Sequence, residues 1–140
     1  MSDESGLVTI TGHQAFDKTV DDVCAAVTAA GYHVFARVDH RENAVRVGRE
    51  LPPTTVVLFG EPTVGTDLIA ERRTAGLDLP SKILVWQDKE DGQDAVRLTY
   101  NTADWLVRRH GLEREGAASA RTLEEVTEPI CRQAASPPAS

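Results

Sequence analysis

A chain of 140 residues, 41% hydrophobic and 26% charged, is long enough to bury a core and too apolar to be disordered throughout. Its net charge of −7 repels phosphate backbones, which argues against nucleic acid as a partner. No apolar run approaches the roughly 18 residues of a membrane span, and the polar, acidic residues 1–5 do not form a signal peptide, so a cytoplasmic protein is expected.

In chain order, residues 7–11 (LVTIT) read as a first strand. A helix is predicted over 17–30, with Val20, Val23, Cys24 and Val27 on one face and Gly31 as its stop. Residues 32–39 (YHVFARVD) alternate as a second strand, with Tyr32, Val34, Ala36 and Val38 on one side. A short helical segment over 41–47 ends before Pro52 and Pro53. Residues 54–59 (TTVVLF) are almost continuously apolar and predict a central strand covered on both faces.

Residues 60–65 (GEPTVG) read as a turn, with Thr66 capping a short helix to about Arg73. Residues 82–87 and 95–100 form two further strands joined by a polar hairpin turn. Asn101 or Thr102 caps a helix through His110, closed by Gly111. Thr122 and Glu125 match a capping box for a last helix with Leu123, Val126 and Ile130 on its apolar side and a kink at Pro129. One domain over 1–135 with a disordered tail over 136–140 is the expected organisation.

Four stretches carry a family resemblance: FARVDH (35–40), FGEPTVGT (59–66), LDLPSKILVW (77–86) and LTYNTADWLVRRHGL (98–112). In this order and spacing they resemble the family of domain of unknown function 302. The resemblance implies an α+β fold, a two-layer sandwich with about five strands and helices mainly on one face, similar to the TATA-binding-protein architecture. It also implies a homodimer, and it implies no activity. Glu61 stands where the family's turn usually has Asn.

The candidate site residues fall into four groups. Asp39 and His40 either cap the segment after the second strand or supply a base or metal ligand. Gly60, Pro62, Gly65 and Thr66 have the spacing of a phosphate loop, but the required Lys is missing and Asp67 stands where Ser or Thr should be. A small anion on that helix N-terminus remains open. Asp78 and Lys82 form either an ion pair or an anion-binding pair at a cleft mouth. Tyr100 and Asn101 precede a helix that ends at His110. His13 and His33 stand isolated on a loop and a strand.

A metal would need Asp39, His40, Asp78 and His110 to converge. If the second and third strands ran parallel, Asp39 and His40 would join the 60–62 turn at one sheet end. Cys24 and Cys131 read as buried thiols or as a pair across packed helices. Two function classes follow. One is a homodimeric binding module for a small anionic or acyl ligand. The other is an enzyme or metal protein using His40 or His110 with a neighbouring carboxylate. No motif names a substrate or cofactor.

Overall fold

The second to fifth strands pair with their chain neighbours and the first strand pairs with the last, and the computed structural model, which describes residues 4–137, joins them into one sheet. Its elements are β1 (Leu7–Thr11), α1 (Phe16–Ala29), β2 (His33–Asp39), α2 (His40–Arg46), β3 (Thr54–Gly60) and α3 (Pro62–Glu71). A 3-10 helix (Arg73–Asp78) follows, then β4 (Ser81–Glu90), β5 (Gln93–Asn101), α4 (Ala103–His110) and α5 (Glu115–Ala135). The strand order is β1-β5-β4-β3-β2, antiparallel throughout. This is the expected α+β class. The last three residues of the expected tail lie outside the described residues, and Ser136 Oγ donates back to the Arg132 carbonyl at 2.8 Å.

Helices α1 and α5 cover one face. Val20, Val23 and Val27 of α1 and Ile130 of α5 meet Val57, Phe59, Ile83 and Leu98 of the sheet. A second cluster beside the sheet end joins Leu68 of α3, Leu106 of α4 and Ala120 and Leu123 of α5. Gly6 makes this join possible. With φ at +75°, a Cβ there would lie 2.3 Å from the Cβ of Trp105.

Several expectations are corrected. The pairing of β2 with β3 is antiparallel, so His33 faces Gly60 and Asp39 faces Thr55. A bulge between Val34 and Ala36 breaks the alternation of β2. Val34 pairs with Phe59 on the helix side, whereas Ala36 and Val38 pair with Leu58 and Val56 on the other face. An inserted residue flips the side-chain register, and composition does not reveal it. The continuous apolar run of β3 is covered on the α1 side only. Val56 and Leu58, with Leu84 and Trp86, are half-buried on the opposite face.

Helix α5 begins seven residues before the expected capping box. Its N-cap, Arg114, makes no side-chain capping bond. The carboxylate of Glu71, at the end of α3, accepts from Glu113 N at 2.5 Å, Arg114 N at 3.1 Å and Gly116 N at 2.8 Å. A cap supplied from 40-odd positions away leaves no local sequence signature. Thr122 is interior to the helix and donates to the Ala118 carbonyl at 3.2 Å. Pro129 also lies inside α5.

Candidate functional site

Antiparallel pairing puts the start of β2, the end of β3, the start of β4 and the end of β5 at one end of the sheet. Asp39 and His40 sit at the other, about 20 Å away for six residues of strand. There Asp39 caps α2, accepting from Glu42 N at 2.9 Å, and both residues are exposed. The proposed convergence of Asp39 and His40 with the Gly60 turn, Asp78 and His110 therefore does not occur. Among the described residues no three His, Cys, Asp or Glu side chains gather as metal ligands.

The Gly60 turn is a helix start. Glu61 is the N-cap of α3 and accepts from Val64 N at 3.3 Å, with Pro62 in the first turn. Gly65 and Thr66 are inside the helix, so Thr66 does not cap it. Glu and Asn both offer an oxygen to the second or third N–H, so the Glu61 departure keeps the cap and adds a charge. That charge occupies the N-terminus where an anion was expected, and after burial it is the second cause that raises the pKa of Tyr32.

Asp78 does not pair with Lys82. Its Oδ2 lies 2.5 Å from His110 Nε2 and 3.1 Å from Arg109 Nε. The other imidazole nitrogen, Nδ1, lies 2.9 Å from Thr74 Oγ1. His110 thus ties the 3-10 helix to the end of α4, and its side chain is 3% exposed. Lys82 Nζ instead donates to the Pro80 carbonyl at 3.0 Å and the Asp78 carbonyl at 3.3 Å. The two Lys82 bonds tie the loop to β4 through backbone oxygens, in place of the expected ion pair. The Leu79–Pro80 peptide in this loop is cis.

Between this loop and α3 runs a groove of about 310 Å³. Phe35, Pro62, Ile69, Leu79, Pro80 and Leu123 supply its apolar walls. Gly60, Gly65 and Gly76 leave those walls bare, since a Cβ at Gly65 or Gly76 would meet only Leu79 or Ile69 at 3.7 to 3.8 Å. Phe35, carried by the bulge of β2, is 50% exposed and stands edge-on to His33 at 5.2 Å. A second chamber of about 20 Å³ shares Ser81 and Leu123 with the groove. Its walls include Asp78, Lys82, Tyr100, Asn101 and Glu124. Burial first, then the charges of Glu128, Cys131 and Glu124, push the Tyr100 pKa up to about 12.

The fold thus gathers Gly60, Pro62, Gly65 and Thr66 with Asp78, Lys82, Tyr100 and Asn101 around two adjoining cavities. It leaves Asp39 and His40 apart. Phe35, Ile69, Leu79, Ser81 and Leu123 complete the walls and were not singled out from sequence. Phe35, Leu79 and Ser81 lie within the matched motifs, which was the available signal. Cys24 and Cys131 are free, and burial pushes the Cys131 thiol up to about 12, which makes it a poor nucleophile.

A crystal structure of an uncharacterized conserved DUF302 protein from Bacillus stearothermophilus has the same fold, with a TM-score of 0.79 at 16% identity over 92% of this chain and 98% of that one. The protein named "Fluoride-specific ion channel FluC 1" of Brucella suis biovar 1 is 39% identical over 132 residues, covering 94% of this chain and 51% of that protein. The protein of the same name from Brucella abortus biovar 1 is also 39% identical, with 48% of its length covered. The chain therefore spans about half the length of the curated relatives it matches. The profile of one family, "Domain of unknown function DUF302", matches residues 8–130. The chain belongs to that family.

Proposed function

We propose that this domain is a binding module that takes a small ligand with an apolar body in the groove between α3 and the 76–81 loop. The observation that carries the reading is the groove itself: about 310 Å³, mainly apolar, and walled by three glycines that leave it open. Clefts of this size and lining are where small ligands bind. The acidic walls weigh against the small anion expected from sequence. Glu61 caps the helix N-terminus, and Asp78 and Glu124 outnumber Lys82. A Gly65→Leu variant provides the test. Leu raises helix propensity by about 1 kcal/mol relative to Gly and fills the groove. Octan-1-ol should raise the melting temperature of the unsubstituted protein and leave the variant unmoved. If octan-1-ol and its carboxylate and amine analogues shift neither protein, the reading fails.

The homodimer belongs to the same reading. The open sheet face carries half-buried Val56, Leu58, Leu84 and Trp86. Five strands about 4.8 Å apart and five to ten residues long present roughly 600 Å² of such a face, against the ~800 Å² per partner of a stable interface. Sedimentation should give a dimer that Leu84→Glu dissociates. A monomeric unsubstituted protein at micromolar concentration would remove this part of the reading.

A second reading rests on the relatives' length. This chain, which matches about half the length of those proteins, contains no helix long and apolar enough to cross a membrane among its described residues. In proteins named as ion channels, the spanning segments would then belong to the other half. On this reading the domain is an accessory part or partner of a membrane channel. Co-purification with such a channel from detergent extracts would support it, and separate elution would count against it.

A further inference from the structure

Tyr100 is 6% exposed, yet its hydroxyl makes no hydrogen bond with any described residue. No buried side-chain oxygen or nitrogen in the described chain is sealed off without a partner, so this hydroxyl reaches open space. Tyr100 lines the chamber together with Ser81, Lys82, Asn101 and Glu124. A buried phenol with no partner is costly unless water or a ligand completes it. The chamber adjoins the groove along Ser81 and Leu123.

We propose that the chamber is the head-group subsite of the groove, and that Tyr100 Oη hydrogen-bonds a single uncharged oxygen, an alcohol or carbonyl, at the end of an apolar ligand. This rests on the groove reading above. Size sets the first limit. About 20 Å³ admits one water-sized group, which excludes phosphate or sulfonate. Charge sets the second. Lys82 directs its ammonium to the Asp78 and Pro80 carbonyls, while Glu124 accepts from Ala103 N at 2.5 Å and Asp78 is held by Arg109 and His110. A carboxylate head would face two acids against one amine that is already engaged. The phenol stays protonated at neutral pH, because its pKa is pushed to about 12, and it remains able to donate.

The test compares octan-1-ol with octanoate on the intact chain, on Tyr100→Phe and on Gly65→Leu, by calorimetric titration. Since Tyr100 Oη supports no other group, the Phe variant should melt where the unsubstituted protein does. It should bind octan-1-ol about 3- to 10-fold more weakly, the weight of one neutral hydrogen bond. Octanoate should bind less tightly than octan-1-ol. If Tyr100→Phe binds octan-1-ol as well as the unsubstituted protein while Gly65→Leu does not, the chamber assignment is wrong and the groove stands. Tighter binding of octanoate overturns the uncharged head. Absence of all binding overturns the groove and this inference together. Should the Phe variant fold poorly, the Tyr100 ring resonances of the unsubstituted protein decide. They must move on octan-1-ol addition, and unmoved resonances overturn the assignment.

Discussion

The two ends of the sheet carry similar residues and use them differently. At one end Asp39 and His40 are adjacent in sequence and exposed, and Asp39 is spent on a local helix cap. No residue of α2 is buried. At the other end Asp78 and His110 are 32 positions apart, yet they meet at 2.5 Å inside a lattice that also includes Thr74 and Arg109. Adjacency along a strand sends side chains to opposite faces, whereas tertiary packing can aim distant groups at one point. A built site therefore belongs at the end where long-range bonds fix the walls.

Paired substitutions sharpen this contrast. Gly6 and Gly48 both have positive φ, at +75° and +74°. Gly6→Ala adds a clash with Trp105 to the backbone cost and should destabilise by roughly 2–5 kcal/mol. Gly48→Ala meets nothing within 4 Å and should cost only the left-handed backbone penalty, about 1–2 kcal/mol. Urea unfolding of the two variants measures both, and equal losses would erase the difference between the ends.

Asp78→Ala strips the buried His110 and the half-exposed Arg109 of their shared acceptor and should cost about 1.5–3 kcal/mol. Asp39→Ala removes one exposed cap, about 1 kcal/mol. Their order in chemical denaturation is the check.

Glu71 gives a pH signature. The N–H of Glu113 chiefly, then those of Gly116 and Arg114 with the charge of Arg72, hold its pKa below the ordinary 4.5 against a smaller opposing effect of burial. The unfolded chain thus takes up this proton first as pH falls. The stabilisation is fully present above about pH 5, and it is lost as pH drops from the ordinary value through the depressed one. Glu71→Gln should lower stability at pH 7 and flatten the decline between pH 5 and pH 3. An unchanged acid slope would show that the cap contributes nothing.

Much of this was legible in the sequence. The five strands, the amphipathic α1, the 88–94 hairpin and the Thr102 and Gly111 boundaries of α4 follow from local pattern, and the family motifs implied the layering. What stayed hidden was decided across space. The antiparallel register placed Asp39 away from Gly60. The bulge at Phe35 sent Ala36 and Val38 to the open face. The Glu71 cap started α5 where no local cap exists, while Thr122 and Glu125 offered a misleading one. The 60–66 turn and the Asp78 and Lys82 loop were singled out as candidates, but Phe35 and Leu123 complete the groove walls from other elements.

The most direct measurement is a titration of isotope-labelled protein with octan-1-ol followed by backbone amide NMR shifts. The account predicts that the largest shifts fall on Phe35, residues 60–66, residues 76–82 and Leu123, with residues 39–51 unmoved. Shifts concentrated on Asp39, His40 and α2, or none at saturating ligand, would contradict it.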